Sequence, residues 1–384
     1  MVWFLLLVGI ALASEVPSKS IAKDAETTFV MFGTRHGNRN PEKFLLGEPK
    51  KTSDWGYEGE LELTKFGKTE THLLGKSIRK FVGKLIDDNY LPKQAKFYSS
   101  SANRCQATIQ TVLTGVYNPV KWADWSVSYT NWSPVPYTID DPMLRMYSVS
   151  DCPTSDAAWK PISEDTLPDL KELTEKKKVI LNYIKNNTGW EATISSAADL
   201  ADNFILMDLY KTKAYPAWIE KPTLTGYTKK QLVAEIMEFA ENHQIKCADY
   251  EPCRNMMGGY WLKKVIEHLR TAGKGSGPNL VGFASHTEVT LALMKLMGYD
   301  RPELPTSAGF VIELKRGTQT KIRLHNHDPV PRDHIIYQAK LIPSVAQLAD
   351  AAGWIELNAF EDAVKKYVIE DWQSKCGRTS CKTL

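Results

Sequence analysis

The sequence lacks several features, and each absence removes a class of protein. Beyond its first residues it contains no apolar run long enough to cross a bilayer, which excludes a multi-spanning membrane protein. It has no excess of charge of one sign. Its 48 Lys+Arg face 45 Asp+Glu for a net charge of +3, so it carries no broad basic field for nucleic acid. It has no C-x-x-C pair among its six cysteines, no internal repeat and no low-complexity tract. The 384 residues, 43% hydrophobic and 24% charged, instead describe a folded chain of two or three structural units, or one large α/β domain with an insertion. No cofactor, nucleic-acid or membrane partner is expected.

The N-terminus reads as a secretory signal over 1–14. Val2 to Ala13 is almost continuously apolar, too short to span, and ends in the small-x-small triplet Ala11-Leu12-Ala13. Secretion, and with it an extracellular location, favours disulfides among Cys105, Cys152, Cys247, Cys253, Cys376 and Cys381, with 15 connectivities open for three bridges. The sequons at Asn131 and Asn186 are candidate glycan sites, the first weakened by Pro134.

Along the chain, Thr27 to Phe32 reads as a buried strand feeding a loop at Gly33. A helix is expected through Leu74, Ile78, Phe81 and Leu85, a strand over Lys96 to Ser99, and a helix over Arg104 to Val116. Residues 155–270 lack strand alternation and carry helical stretches such as Leu167 to Ile184 and Lys230 to Leu269. Strand, helix and strand return at Leu280 to Ala284, Val289 to Met297 and Phe310 to Leu314. The expected organisation is an α/β core over 15–150 and 271–384, the second part including the C-terminal tail, interrupted by a helical cap over 151–270.

Ligands of open α/β sheets bind beyond the carboxyl ends of strands, which directs attention to the loops 33–41, 99–105 and 284–289. The first reads Thr34-Arg35-His36-Gly37-Asn38-Arg39-Asn40-Pro41. Two guanidiniums supply forked donors for anionic oxygens, and an imidazole between them is suited to attack phosphorus. Five specified positions in order arise by chance in on the order of one such chain in ten thousand.

With these residues the chain resembles the histidine acid phosphatases. It matches their R-H-G-x-R-x-P motif at Arg35, His36, Gly37, Arg39 and Pro41, and resembles them in Leu63-Thr64-x-x-Gly67, Arg104 and Ser285-His286. The resemblance implies a histidine-phosphatase-like α/β fold with a mainly helical cap. It also implies His36 as nucleophile, Arg35, Arg39 and Arg104 as phosphate ligands, and His286 as a further donor.

The sequence departs from that pattern after the second histidine. Active members carry an aspartate there to protonate the leaving alcohol; this chain has Thr287, whose hydroxyl is far too weak an acid. The run His286-Thr287-Glu288 resembles the phytase-like branch containing multiple inositol polyphosphate phosphatases, in which a glutamate two places on is the acid. Glu288 is also simply a favoured first-turn helix residue.

The departure is also similar to the acid-phosphatase-like salivary proteins of blood-feeding insects, which bind biogenic amines and cysteinyl leukotrienes without hydrolysing them. By that resemblance Arg35, His36, Arg39, Arg104, His286, Thr287 and Glu288 would form a binding pocket for small-molecule mediators, with rings drawn from Trp132 to Tyr137 or Tyr215 to Trp218. By the wider one, phosphomonoesters would be substrates, with His36 and Glu288 catalytic. The oligomeric state is left open.

Three weaker patterns are read as structural: His325-Asn-His327-Asp328 as a polar turn rather than a metal site, Lys176-Lys-Lys178 as a solvated helix face, and Gly273 to Gly277 as a flexible loop.

Overall fold

The computed structural model describes residues 16–45, 58–118, 120, 132–211 and 214–378. The signal segment, Asn131 and Cys381 lie outside the described residues. Among those described, eight strands form one mixed sheet: β1 (Thr27–Arg35), β2 (Ala95–Ser99), β3 (Thr138–Ile139), β4 (Leu280–Ser285), β5 (Gly309–Lys315), β6 (Lys321–Val330), β7 (Asp333–Gln338) and β8 (Trp354–Glu356). Their order is β3-β2-β4-β1-β5-β6-β7, with β8 paired to β6. The neighbours from β3 to β1 run parallel and those from β1 to β8 antiparallel.

β1 is central because both its faces are apolar. Val30 and Phe32 pack into one core with Leu74 and Ile78 of the helix Lys65–Val82 and Ile109 of the helix Asn103–Val116. Phe29 and Met31 point the other way, into a core with Trp261 of the helix Glu251–Gly273 and Val289 of the helix Thr287–Leu296. Alternate side chains thus serve opposite layers, so the strand reads as one hydrophobic run.

The strand does not end at Gly33, as the sequence suggests, but runs on to Arg35. Gly33 is needed for space. A Cβ there would lie 2.3 Å from Phe310 and 3.1 Å from Trp261.

Between Pro153 and Gly273 the described chain is helical. The two long helical stretches anticipated there are each broken. The first divides at Lys177 into Pro168–Lys176 and Lys178–Thr188. Lys177 is no part of a solvated face, being buried and paired with Glu235 and Glu238. The second becomes Lys229–Met237, Asn242–Asp249 and Glu251–Gly273.

The expected polar turn at 325–328 is instead inside β6, where His325 meets Glu313, His327 meets His334, and Asp328 pairs with Arg301. Among the described residues no group of side chains is arranged to hold a metal ion, and no helix is long and apolar enough to cross a membrane.

Among the described residues two disulfides form, Cys152–Cys376 and Cys247–Cys253. Cys105, expected among the paired cysteines, is a free buried thiol. Its sulfur donates to the Ser285 carbonyl at 3.3 Å and lies 3.5 Å from His286 Nε2, so the end of β4 surrounds it, and among the described residues no second sulfur reaches it.

Cys152–Cys376 joins residues 224 apart and Cys247–Cys253 residues 6 apart. Loop-closure entropy then predicts a loss of about 5 kcal/mol for replacing the first pair by serine and about 2 kcal/mol for the second. Urea unfolding of the two double variants checks the ranking.

Candidate active site

The sheet register builds the site. In the parallel pair β1–β4, Arg35 stands opposite Ser285, so both strands end at the same level. The next residue of each chain is a histidine. His36 N–H donates to the Ser285 carbonyl at 2.9 Å, and the two rings meet edge to face with centroids 5.6 Å apart.

The loop beyond His36 is held by the Leu63-Thr64-x-x-Gly67 segment. Thr64 caps the helix Lys65–Val82 by accepting from Gly67 N–H at 3.1 Å, and its hydroxyl also lies 2.7 Å from Asn38 Oδ1. Gly67 abuts the loop so closely that a Cβ would come within 2.2 Å of the Asn38 carbonyl. Behind the loop, Asn38 N–H donates to Glu70, a buried carboxyl pushed up to about 7 by desolvation despite that bond and one from Thr306. Gly37 N–H donates to Thr108 Oγ1 at 3.1 Å.

Both histidines have defined roles in this network. His36 Nδ1 lies 2.8 Å from the Gly37 carbonyl, which can only accept; the proton is therefore assigned to Nδ1 and the lone pair to Nε2. His286 Nδ1 receives Arg104 Nη2 at 3.2 Å, which assigns the proton to Nε2, 2.9 Å from Ser100 Oγ. Burial, then Arg104 and further cations, hold both imidazoles well below their usual range, so both are neutral.

All seven residues proposed from the sequence are buried or partly buried around this point. The structure adds others that no sequence signal marked. Glu241 binds Arg35 Nη2 through Oε1 and accepts from Thr287 Oγ1 at 2.9 Å through Oε2. Asp202 pairs with Arg39 at 2.9 Å. Arg145 lies over the ring of Tyr147, which packs edge to face on His286 at 5.4 Å.

The carboxyls differ in character. Burial pushes Glu241 up, but Arg35, Arg39 and the Thr287 hydroxyl outweigh it and hold it below the usual carboxylate range. Burial prevails at Glu288, whose carboxyl is raised despite Arg104 and Arg35. It prevails also at Asp202 despite Arg39.

The rings expected from two segments make other contacts. The Tyr137 hydroxyl donates to Gln106 at 3.0 Å, Tyr215 packs on Phe204 and Trp218 on Tyr183. Asn186 is exposed on the helix Lys178–Thr188. A separate open cleft of about 560 Å³ lies at the opposite end of the Thr287–Leu296 helix, lined by Arg254, Leu296, Arg301 and Tyr367 among others; none of the seven residues borders it.

Residues 18–192 match the family described as the histidine phosphatase superfamily (branch 2), a span that holds Arg35, His36, Arg39 and Arg104. The chain is 22% identical over 384 residues to lysosomal acid phosphatase of Xenopus laevis, covering 97% of this chain and 83% of that one. It is 21% identical over 367 residues to prostatic acid phosphatase of Rattus norvegicus, covering 92% and 90%.

Among solved structures, the phytase of Hafnia alvei aligns with a TM-score of 0.64 at 13% identity, covering 92% of this chain and 99% of that one. The multiple inositol polyphosphate phosphatase of Bifidobacterium longum, in complex with inositol hexasulfate, aligns at 0.53 and 10% identity, covering 92% and 98%. The fold is histidine-phosphatase-like, and the chain is similar over residues 18–192 to branch 2 of the histidine phosphatase superfamily and over most of its length to acid phosphatases.

Neutral His36 and His286 should give no imidazole titration between about pH 5 and 7, where a free histidine changes charge. Nitrogen-resolved NMR of the labelled protein checks this, with His36 and His286 assigned by substitution.

Proposed function

We propose that the chain is a secreted, catalytically impaired relative of the acid phosphatases that binds small organic mediators in the pocket around His36 and His286. Biogenic amines such as serotonin are its first class of ligand and cysteinyl leukotrienes its second. One observation carries this reading. Beside His286, where the leaving alcohol of a phosphoester would need an acid, the Thr287 hydroxyl donates to Glu241, a carboxylate held in its ionised form.

An ionised carboxylate held by Arg35 and the Thr287 hydroxyl, with neutral His36 and His286 in the same pocket, favours a primary ammonium over a phosphate dianion. Tyr147 supplies an aromatic face beside the same histidine. Arg104 and Arg145, each with a buried Nε that has no partner, could meet the carboxylates of an acidic lipid. The apolar N-terminal segment and two disulfides accord with secretion.

A working acid phosphatase is the second reading, and the named relatives favour it. Two further observations support it. The Gly37 carbonyl fixes His36 so that Nε2 can attack phosphorus, and the raised Glu288 carboxyl can carry a proton to the departing alkoxide. Phosphorus would exchange its ester oxygen for Nε2, and water would later release it.

Calorimetry with serotonin-like amines, run beside an aryl-phosphate assay at about pH 5, separates the two. The binding reading expects saturable heats and negligible turnover. Robust turnover lost in Glu288→Gln would establish the enzyme instead. Thr287→Asp is expected to raise phosphatase activity by roughly 10²-fold or more, the lower end of a general acid's contribution; no gain would place the impairment elsewhere in the pocket.

A further inference from the structure

Arg35 is the most enclosed cation of the site. Its side chain is 6% exposed, Nη1 donates to the Leu304 carbonyl at 2.7 Å, and Nη2 is bound by Glu241. The two oxygens of Glu241 do different things. One takes the guanidinium and the other takes the Thr287 hydroxyl, so the carboxylate bridges β1 and the start of the Thr287–Leu296 helix. A tetrahedral oxyanion seated between a strand-end arginine and a helix N-terminus would bridge the same two groups with two of its oxygens.

Glu241 is also firmly delivered. It has φ 55° and precedes the helix Asn242–Asp249, whose Cys247 is tied to Cys253 at the start of the next helix. A non-glycine residue adopts that backbone only where its surroundings fix it.

We propose that Glu241 is a tethered surrogate ligand: its carboxylate occupies a latent oxyanion site formed by Arg35 and the Thr287 end of its helix, and it sets the pocket against free phosphate-like anions. The specificity of the pocket then turns on a residue of the helical segment rather than on the R-H-G-x-R-x-P loop, which keeps all its donors. The inference does not depend on an amine being the ligand. It requires only that the bridge excludes anions from Arg35.

Titration calorimetry of tungstate and inorganic phosphate against the full chain tests this. The wild-type protein should bind either anion weakly. Glu241→Gln, which keeps the shape and removes the charge, should bind tungstate at least about 10-fold more tightly, a change of about 1.4 kcal/mol. Glu172→Gln, the same charge change at an exposed position, should match the wild type. Glu241→Asp keeps the charge but withdraws it by one methylene; it should fall between the two, and it carries the test if the glutamine variant fails to fold.

Equal tungstate affinity in the wild type and the folded Glu241 variant, whether strong or absent, overturns the proposal. An amine titration of the same proteins keeps the readings apart. Loss of amine binding without gain of tungstate binding would sustain the mediator reading while ending this one.

Discussion

The pairing of β1 with β4 is the constraint on which the site depends. Because both strands are buried on both faces, their register cannot slip without driving an entire set of side chains into the wrong layer. That register sets Arg35 against Ser285 and therefore places His36 beside His286, although 250 residues separate them in sequence. The two helices that begin near the strand ends then aim Arg104 and Thr287 at the same point. The close fit of Gly67 under Asn38 keeps the loop from relaxing away.

Burying cations in such a place has its own cost, and the chain offsets it from the helical segment. Arg35 and Arg39 would be uncompensated beside neutral imidazoles if Glu241 and Asp202 were absent. An unpaired buried guanidinium is strongly destabilising, so these acids serve folding. The pairing also explains why a loop rich in anion-binding donors need not present them to anions. In the pocket as it stands, Arg35 and Arg39 already have carboxylate partners before any ligand arrives.

Much of this was legible in the sequence, and the remainder was hidden for physical reasons. The apolar runs located β1, β2, β4 and β5, and the spacing in Arg35 to Pro41 marked the candidate site, because local pattern and local chemistry coincide there. β6 escaped because His325, His327 and Asp328 are buried by pairing with Glu313, His334 and Arg301, partners that come from other strands and loops. Glu241, Asp202 and Arg145 escaped for a related reason. Each lies in a stretch of ordinary helical or irregular composition, and only the tertiary fold brings it against Arg35, Arg39 or Tyr147. Cys105 misled because an even number of cysteines suggests full pairing, while its position at the end of β4 gives it a carbonyl and an imidazole as neighbours instead.

Two glutamates give the site its chemical character, and they are opposites. Glu241 is bound by Arg35 and Thr287 and keeps a fixed negative charge. Glu288, one residue beyond Thr287, lacks so close a cation and is raised by burial, so it can hold a proton. A fixed charge is useful for holding a cation and of no use as an acid; a movable proton is useful for expelling an alkoxide and does little to hold an ammonium. Proximity to Arg35 decides which carboxylate is which. On the proposal that Glu241 fills an oxyanion site, the helical segment that supplies it sets the ligand choice of the pocket without altering any residue of the loop itself.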